Sequence, residues 1–182
     1  MKRMVLLVLG VAAWSAGAFA QAPADAIEKA LAPAPGNMKE AATVVKWKAD
    51  NTYDTLRKGT NRLVCYDRSG ELGQPAFAVQ CTSIANLDRV AQNRKFEAMT
   101  DKTARQAAID AAEKDGTRVK PEYGSLWIMM SGPDREHARK HMTIAMPGAT
   151  TQSTGLPSDN KQGGVWIMNA GTSTAHLMTP GS

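Results

Sequence analysis

Aromatic residues are scarce in this sequence, since Phe, Trp and Tyr together make up 5% of its 182 residues. A chain with few large rings relies on each of them for apolar contact area. The tryptophans beyond the N-terminal segment, which are Trp47, Trp127 and Trp166, are therefore expected to anchor the core. Uninterrupted apolar runs of about 18 residues, the length that a membrane helix needs, are also missing. The sequence predicts no membrane span in the mature chain.

Blocks of positive charge are missing as well. The chain carries 22 Lys and Arg residues against 17 Asp and Glu residues, but its basic residues are dispersed along the sequence. A nucleic-acid-binding surface shows clustered positive charge rather than a positive total. Nucleic-acid binding is therefore not indicated.

Motifs that would assign an activity are missing too. The sequence has no Gly-x-Ser-x-Gly nucleophile elbow, no His-Glu-x-x-His metal motif and no dinucleotide-binding fingerprint. We therefore predict no cofactor. Whether the protein is an enzyme stays open at this level.

The first residues have the three parts of a secretory signal peptide. Lys2 and Arg3 form a basic start, residues 4–11 form an apolar stretch, and Ala18-Phe-Ala20 supplies the small residues that a signal peptidase recognises. We predict that residues 1–20 are a bacterial signal peptide, cleaved before Gln21. The mature chain is then periplasmic or secreted.

The mature chain contains two cysteines, Cys65 and Cys81. An even number of cysteines in an exported protein favours a disulfide, because the compartments outside the cytosol are oxidising. Closing a loop of this size stabilises a fold by about 3 kcal/mol in the chain-entropy model. A structural disulfide is therefore predicted.

Residues 21–37 are rich in Ala and Pro. Because a helix that short is marginal in isolation, this segment is predicted to be a flexible N-terminal arm. Residues 38–182 are predicted to form a single domain, since their number suits one hydrophobic core.

Secondary structure is predicted from the spacing of apolar residues. Strands are expected over residues 42–47, 62–66 and 77–81, a helix from Ser83, a second helix over residues 102–114, and two hairpins over residues 126–146 and 165–178. Strands followed by helices and again by strands indicate an α+β domain. We expect a mainly antiparallel sheet built from hairpins, with two helices packed on one face.

The two C-terminal hairpins repeat one pattern. Gly124-Ser-Leu-Trp-Ile-Met-Met-Ser-Gly132 is matched by Gly163-Gly-Val-Trp-Ile-Met-Asn-Ala-Gly171, and each copy is followed by a strand that opens with His and ends before Pro. The repeat predicts that Trp127 and Trp166 occupy equivalent, largely buried positions as structural anchors.

All histidines fall in the repeated region: His137, His141 and His176. His137 and His141 have the spacing of a helical metal site, but positively charged neighbours disfavour a cation there. The repeat places His141 and His176 at the head of the two returning strands. Strand alternation directs His141 away from Met142 and predicts the polar side of the sheet for both imidazoles.

The pair His141 and His176 has two interpretations. One is an acid–base pair for hydrolysis, or a soft metal site with Met142, Met168 or Met178. The other is a pair of half-buried histidines whose ring nitrogens are satisfied by backbone carbonyls, with the methionines in the core.

Leu56-Arg-Lys-Gly-Thr-Asn61, the two cysteines and Ala175-His-Leu-Met-Thr-Pro180 resemble segments of a group of uncharacterised secreted bacterial proteins. That group carries Leu-Arg-x-Gly-Thr-Asn before a first Cys, then a second Cys and a closing Ala-His-Leu-Met-x-Pro. The likeness covers residues 55–82 and 124–180, although Arg62-Leu63 stands where the group often has Gly-Trp. The resemblance implies export and a shared fold, and it implies no particular activity.

Two hypotheses of function follow. The first is an exported domain, stabilised by one disulfide, that binds a small molecule or a protein partner through its loops. The second is a hydrolase or metal-binding protein that uses His141 and His176.

Overall fold

The computed structural model describes residues 17–179, with side chains from residue 23 onward. Its helices are α1 (Gly17–Ala30), α2 (Gly36–Lys39), α3 (Leu87–Glu97), α4 (Lys102–Lys114) and α5 (Thr151–Thr154), and a 3-10 turn (Ile84–Asn86) leads into α3. Its strands are β1 (Thr43–Trp47), β2 (Tyr53–Arg57), β3 (Leu63–Asp67), β4 (Phe77–Ser83), β5 (Leu126–Gly132), β6 (Arg139–Ala145), β7 (Trp166–Met168) and β8 (His176–Met178).

All eight strands form one sheet in the order β2-β1-β3-β4-β5-β6-β8-β7. Every neighbouring pair is antiparallel except β1 and β3, which run parallel. The protein therefore has the predicted α+β fold with a mainly antiparallel sheet. Both repeated segments are hairpins, β5–β6 and β7–β8, and the two returning strands β6 and β8 pair with each other.

The face of the sheet that carries the disulfide is covered by α1. Cys65 and Cys81 lie directly opposite each other on β3 and β4, and their sulfurs are bonded at 2.02 Å, which confirms the predicted disulfide. Ala30, Leu31 and Ile128 pack against the two half-cystines in one apolar cluster. This cluster is the main core on that side of the sheet.

The segment predicted as a flexible arm, residues 21–37, contains a packed helix in the part whose side chains are described. Ile27, Ala30 and Leu31 recur at the three- and four-residue spacing of one helix face, so α1 presents a continuous apolar stripe to the sheet. Leu31 retains 4% exposure. Tertiary packing thus stabilises a helix that would be marginal alone. The predicted signal peptide falls largely on residues 1–16, outside the described residues.

The opposite face is covered by α3, and α4 packs against α3. Leu87 and Val90 of α3 contact Val45, Val64 and Tyr66 in a second apolar cluster. The N-cap of α4 is Asp101, whose carboxylate accepts hydrogen bonds from the amides of Thr103 and Ala104. The two predicted helices therefore lie on one side of the sheet.

The segment Leu56-Arg-Lys-Gly-Thr-Asn61 is hydrogen-bonded to residues 39–42, which precede β1. Arg57 Nη2 donates to the carbonyl oxygens of Lys39 (2.7 Å) and Ala42 (2.9 Å), and the amides of Thr60 and Asn61 donate to Ala41 O. A Cβ atom at Gly59 would stand 2.2 Å from Ala41 O, so no other residue fits. This motif is therefore structural in the described fold.

The tryptophans differ in burial. Trp47 has 9% exposure and packs edge-on against Tyr53 and Tyr66. Trp127 and Trp166 do occupy equivalent hairpin positions, but both are only half-buried. The two hairpins join through β6 and β8, so Thr143 and Met178 separate the two indoles in one cross-strand row. The apolar cluster under α3 reaches Trp127 and no strand beyond β5.

Among the described residues, no helix combines the length and apolar composition required to cross a bilayer.

Candidate functional site

A cavity of about 250 Å³ opens on the α3 side of the sheet, over β4, β5, β6 and the start of β8. We call it the histidine cavity, because both His141 and His176 line it. Its remaining lining residues are Gln80, Arg89, Asn93, Pro121, Trp127, Met129, Thr143, Ala145, Thr174 and Ala175.

The strand register explains why the two histidines share this cavity. His141, Thr143 and Ala145 alternate along one face of β6, and His176 lies directly opposite Ala145 on β8. Four residues along a strand span about 13 Å. The two imidazoles therefore stand at opposite ends of the cavity, with Thr143 between them. His141 is the third residue of β6 rather than its first, whereas His176 does open β8.

The environment of His176 defines its proton position. Its Nδ1 lies 2.7 Å from the carbonyl oxygen of Thr174, an atom that only accepts hydrogen bonds. We therefore place the proton of the neutral ring on Nδ1, which leaves Nε2 as an acceptor. This carbonyl contact is the kind expected for a satisfied structural histidine.

The third histidine stands apart from the pair. His137 lies in the exposed loop between β5 and β6, where its Nδ1 is 2.8 Å from both carboxylate oxygens of Asp134. Hydrogen bonds from the His137 backbone and ring hold the pKa of Asp134 below its usual value. His137 does not line the histidine cavity.

The predicted metal alternative finds little geometric support. In the described part of the chain, no three His, Cys, Asp or Glu side chains come close enough to hold a metal ion together. Met142 lies on the opposite face of β6 from His141, and Met168 is exposed. The methionine that does line the histidine cavity is Met129.

Arg89 of α3 forms one wall of the histidine cavity. Its guanidinium donates to Val119 O, to Ser173 Oγ (2.9 Å) and to Thr174 Oγ1 (3.0 Å), and the residue retains 3% exposure. Burial, and then the nearby positive charge of Arg118, lowers the pKa of Arg89 to about 10. It therefore carries a buried positive charge at neutral pH.

A larger cavity of about 740 Å³ adjoins the first, between α3, α4 and the loop from β3 to β4. We call it the arginine cavity. Arg89, Asn93 and Thr174 line both cavities and form the wall between them. Arg118 also lines the arginine cavity, where it donates to Gln92 Oε1 (2.6 Å) and Asn93 Oδ1 (2.5 Å).

Sequence reasoning identified the two histidines and Trp127 but missed Gln80, Arg89 and Arg118. Gln80 carried a weak signal, since a polar residue in the apolar strand 77–81 has to be hydrogen-bonded when buried. Its Oε1 does accept from Arg68 Nη1 at 3.2 Å. The two arginines had no signal, because they look like ordinary surface residues of a polar helix and a polar loop.

Comparison with known proteins gave no match among family models, curated proteins or solved structures.

Proposed function

We propose that this protein is an exported binding module that holds a small organic molecule in the histidine cavity. The observation that carries the proposal is the convergence of His141, His176 and Trp127 on one cavity. Ligand sites typically combine an apolar wall with a few polar groups that fix orientation. The histidine cavity has both.

The lining groups indicate the chemistry of the ligand. Trp127 and Met129 offer an apolar surface that suits a flat ring or a short chain. Nε2 of His176 accepts a hydrogen bond at one end, while the side-chain amide of Gln80, whose oxygen is already engaged by Arg68, donates. A small ring compound with polar groups at two ends fits these groups.

A thermal-shift screen tests this proposal. The purified protein is heated with fragment-sized ring compounds and, separately, with Zn²⁺, Ni²⁺ or Cu²⁺, because any specific ligand raises the melting temperature by mass action. Organic hits are then titrated while the fluorescence of Trp127 is followed, with Trp127→Phe as the reference.

His141→Ala and His176→Ala are each expected to weaken binding of a hit by about tenfold, as for loss of one buried hydrogen bond or ring contact. His137→Ala is the matched control, since His137 lies outside the cavity. Hits that bind all three variants equally well would contradict the proposal.

Export is the second part of the proposal. A disulfide at Cys65–Cys81 and the resemblance to secreted bacterial proteins both support a periplasmic or secreted location. Expression of the full sequence in a Gram-negative host, followed by N-terminal sequencing of the periplasmic fraction, is expected to give Gln21 as the first residue. Retention of the entire chain in the cytosol would contradict export.

A hydrolase is the second candidate, and one observation favours it: Nε2 of His176 is placed as an acceptor, as a general base requires. Against this, the described residues that line the histidine cavity include no Asp, Glu, Ser or Cys. The hydroxyl groups of Thr143 and Thr174 line the cavity, but its described lining supplies no carboxylate to orient a catalytic histidine. Hydrolysis of activated esters that is lost in His176→Ala but kept in His137→Ala would favour the enzyme over the binder.

A further inference from the structure

The arginine cavity carries more positive charge than its surroundings neutralise. Among the described residues that line it, the cations are Arg89, Lys102, Arg105 and Arg118, and the carboxylate is Glu97. Glu97 is already engaged by Arg68. The cavity is therefore electropositive.

The two buried arginines of the cavity donate hydrogen bonds to carbonyl, hydroxyl and amide oxygens rather than to carboxylates. Arg89 and Arg118 retain 3% and 7% exposure, and within the described chain neither forms an ion pair with Asp or Glu. Glu113 is close enough to affect the pKa of both arginines, but its carboxylate accepts hydrogen bonds from Ser173. Glu97 also acts on Arg118 from a distance. A buried charge whose counter-charge is not in direct contact is costly, so these two guanidinium groups favour an anion beside them.

Arg118 also keeps one donor unused. Its Nε is buried and, within the described chain, has no hydrogen-bond acceptor. The guanidinium lies over the ring of Phe96, with 5.0 Å between Cζ and the ring centroid, and this contact holds it at the cavity. Buried donors are rarely left unsatisfied, and an anion in the cavity would bring acceptor oxygens to this guanidinium group.

The same cavity has an apolar side. Leu72, Phe96, Met99 and Ile109 line it together with the cations. Leu72, in the loop between β3 and β4, is 54% exposed and stands at the rim. A volume of about 740 Å³ lies in the range of small-molecule sites.

We propose that the arginine cavity binds a small amphipathic anion, with its carboxylate or phosphate group at Arg89 and Arg118 and its apolar body against Phe96 and Met99. Guanidinium groups match the geometry of both anionic groups. The site goes beyond the function proposed above, because it does not require the histidine cavity to be occupied. Lys102 and Arg105 line only the arginine cavity, which lets the two sites be tested separately.

The test uses octanoate and octyl phosphate as anionic probes, with octanol and acetate as controls for the chain and the charge. Either anionic probe is expected to raise the melting temperature of the purified protein and to bind in a calorimetric titration. Octanol and acetate at the same concentration are expected to have no effect.

The decisive variant is Lys102→Gln with Arg105→Gln, which removes rim charge without touching the buried arginines. Its affinity for the anionic probes is expected to fall by about tenfold, since each lost charge removes a Coulomb attraction. Lys58→Gln with Lys140→Gln removes the same charge from exposed positions elsewhere and is expected to bind like the parent.

Equal binding by the rim variant and the parent would overturn the proposal, and so would equal binding of octanol and octanoate or the absence of binding by both anionic probes. A second variant, Arg118→Met, is expected to abolish binding if it folds. His141→Ala is expected to leave octanoate binding unchanged, so failure here is distinguishable from failure of the histidine cavity.

Discussion

The two halves of the sheet are built differently. Strands β1, β3 and β4 are covered on one face by α1 and on the other by α3, and the disulfide ties β3 to β4 inside this sandwich. Strands β5 to β8 continue the sheet, but most of their residues on the α3 side are only half-buried, and β5, β6 and the start of β8 line the histidine cavity. One half of the sheet is therefore packed on both faces, whereas the other half leaves an open cavity.

One tryptophan from each half of the sheet tests how differently the two halves contribute to stability. Trp47→Ala should lower the free energy of unfolding by about 4 kcal/mol, as for a buried tryptophan. Trp166→Ala should lower it by about 2 kcal/mol, because half-burial removes less apolar area from water. Urea denaturation measures both values. Equal losses would show that the two halves are packed alike.

Gly59→Ala should lower the free energy of unfolding by about 3 kcal/mol, a large value for an overpacking substitution. The reason is that the added Cβ would collide with the backbone of residues 41–43. Gly36→Ala is the matched control, since a Cβ there has no atom within 4 Å. The same denaturation experiment compares them. If Gly59→Ala is as stable as Gly36→Ala, the hydrogen-bonded motif around Arg57 does not contribute to the stability of the fold.

Leu31→Ala should cost about 2–3 kcal/mol, as for a buried leucine. Its control is Leu72→Ala, which removes the same atoms from an exposed position and should cost less than about 0.5 kcal/mol. Thermal unfolding of the two variants separates them. If Leu31→Ala lowers stability as little as Leu72→Ala does, the helix does not pack firmly on the sheet, and residues 21–37 are a flexible arm as predicted from the sequence.

Acid should weaken the fold slightly at the contact between Glu113 of α4 and Ser173, which precedes β8. Burial raises the pKa of Glu113, but hydrogen bonds from Ser173 and the charge of Arg89 outweigh it and hold the pKa below the usual 4.5. A carboxylate whose pKa is lower in the folded state stabilises the fold above its unfolded pKa. That contribution is lost as the pH falls through the folded value.

Because Glu113 is only half-buried, solvent still screens its charge, and the contribution should be below about 1 kcal/mol. The difference in melting temperature between the parent and Glu113→Gln is expected to be largest at pH 7 and to shrink below pH 4.5. A difference in melting temperature that does not change with pH would show that the stability lost in Glu113→Gln does not come from the charge of the carboxylate.

Strand and helix positions were predictable where apolar spacing is regular. The strands around the disulfide and both C-terminal hairpins were predictable, because β-branched runs and turn residues act locally. The disulfide was predictable from the even number of cysteines behind an export signal. The packing of α1 did not follow, since the stability of a short helix depends on the sheet that it meets. The half-burial of Trp166 also depended on a non-local fact, namely that β8 rather than β7 pairs with β6.

The candidate sites were less predictable than the fold. His141 and His176 stood out because histidines are rare in this chain and the repeat aligned them. Arg89 and Arg118 did not stand out, because burial of an arginine is decided by which helices and loops fold over it. The wall between the two cavities is assembled from α3 and from the residues before β8, which are far apart in sequence.

That shared wall has a thermodynamic consequence. Arg89 faces both cavities and is held by Ser173 and Thr174, so a ligand that displaces it in one cavity alters the binding free energy available in the other. Linkage requires the effect to be reciprocal: the factor by which the first ligand changes the affinity of the second equals the factor by which the second changes the first. Ligands in the two cavities would therefore change each other's affinity through the guanidinium group of Arg89.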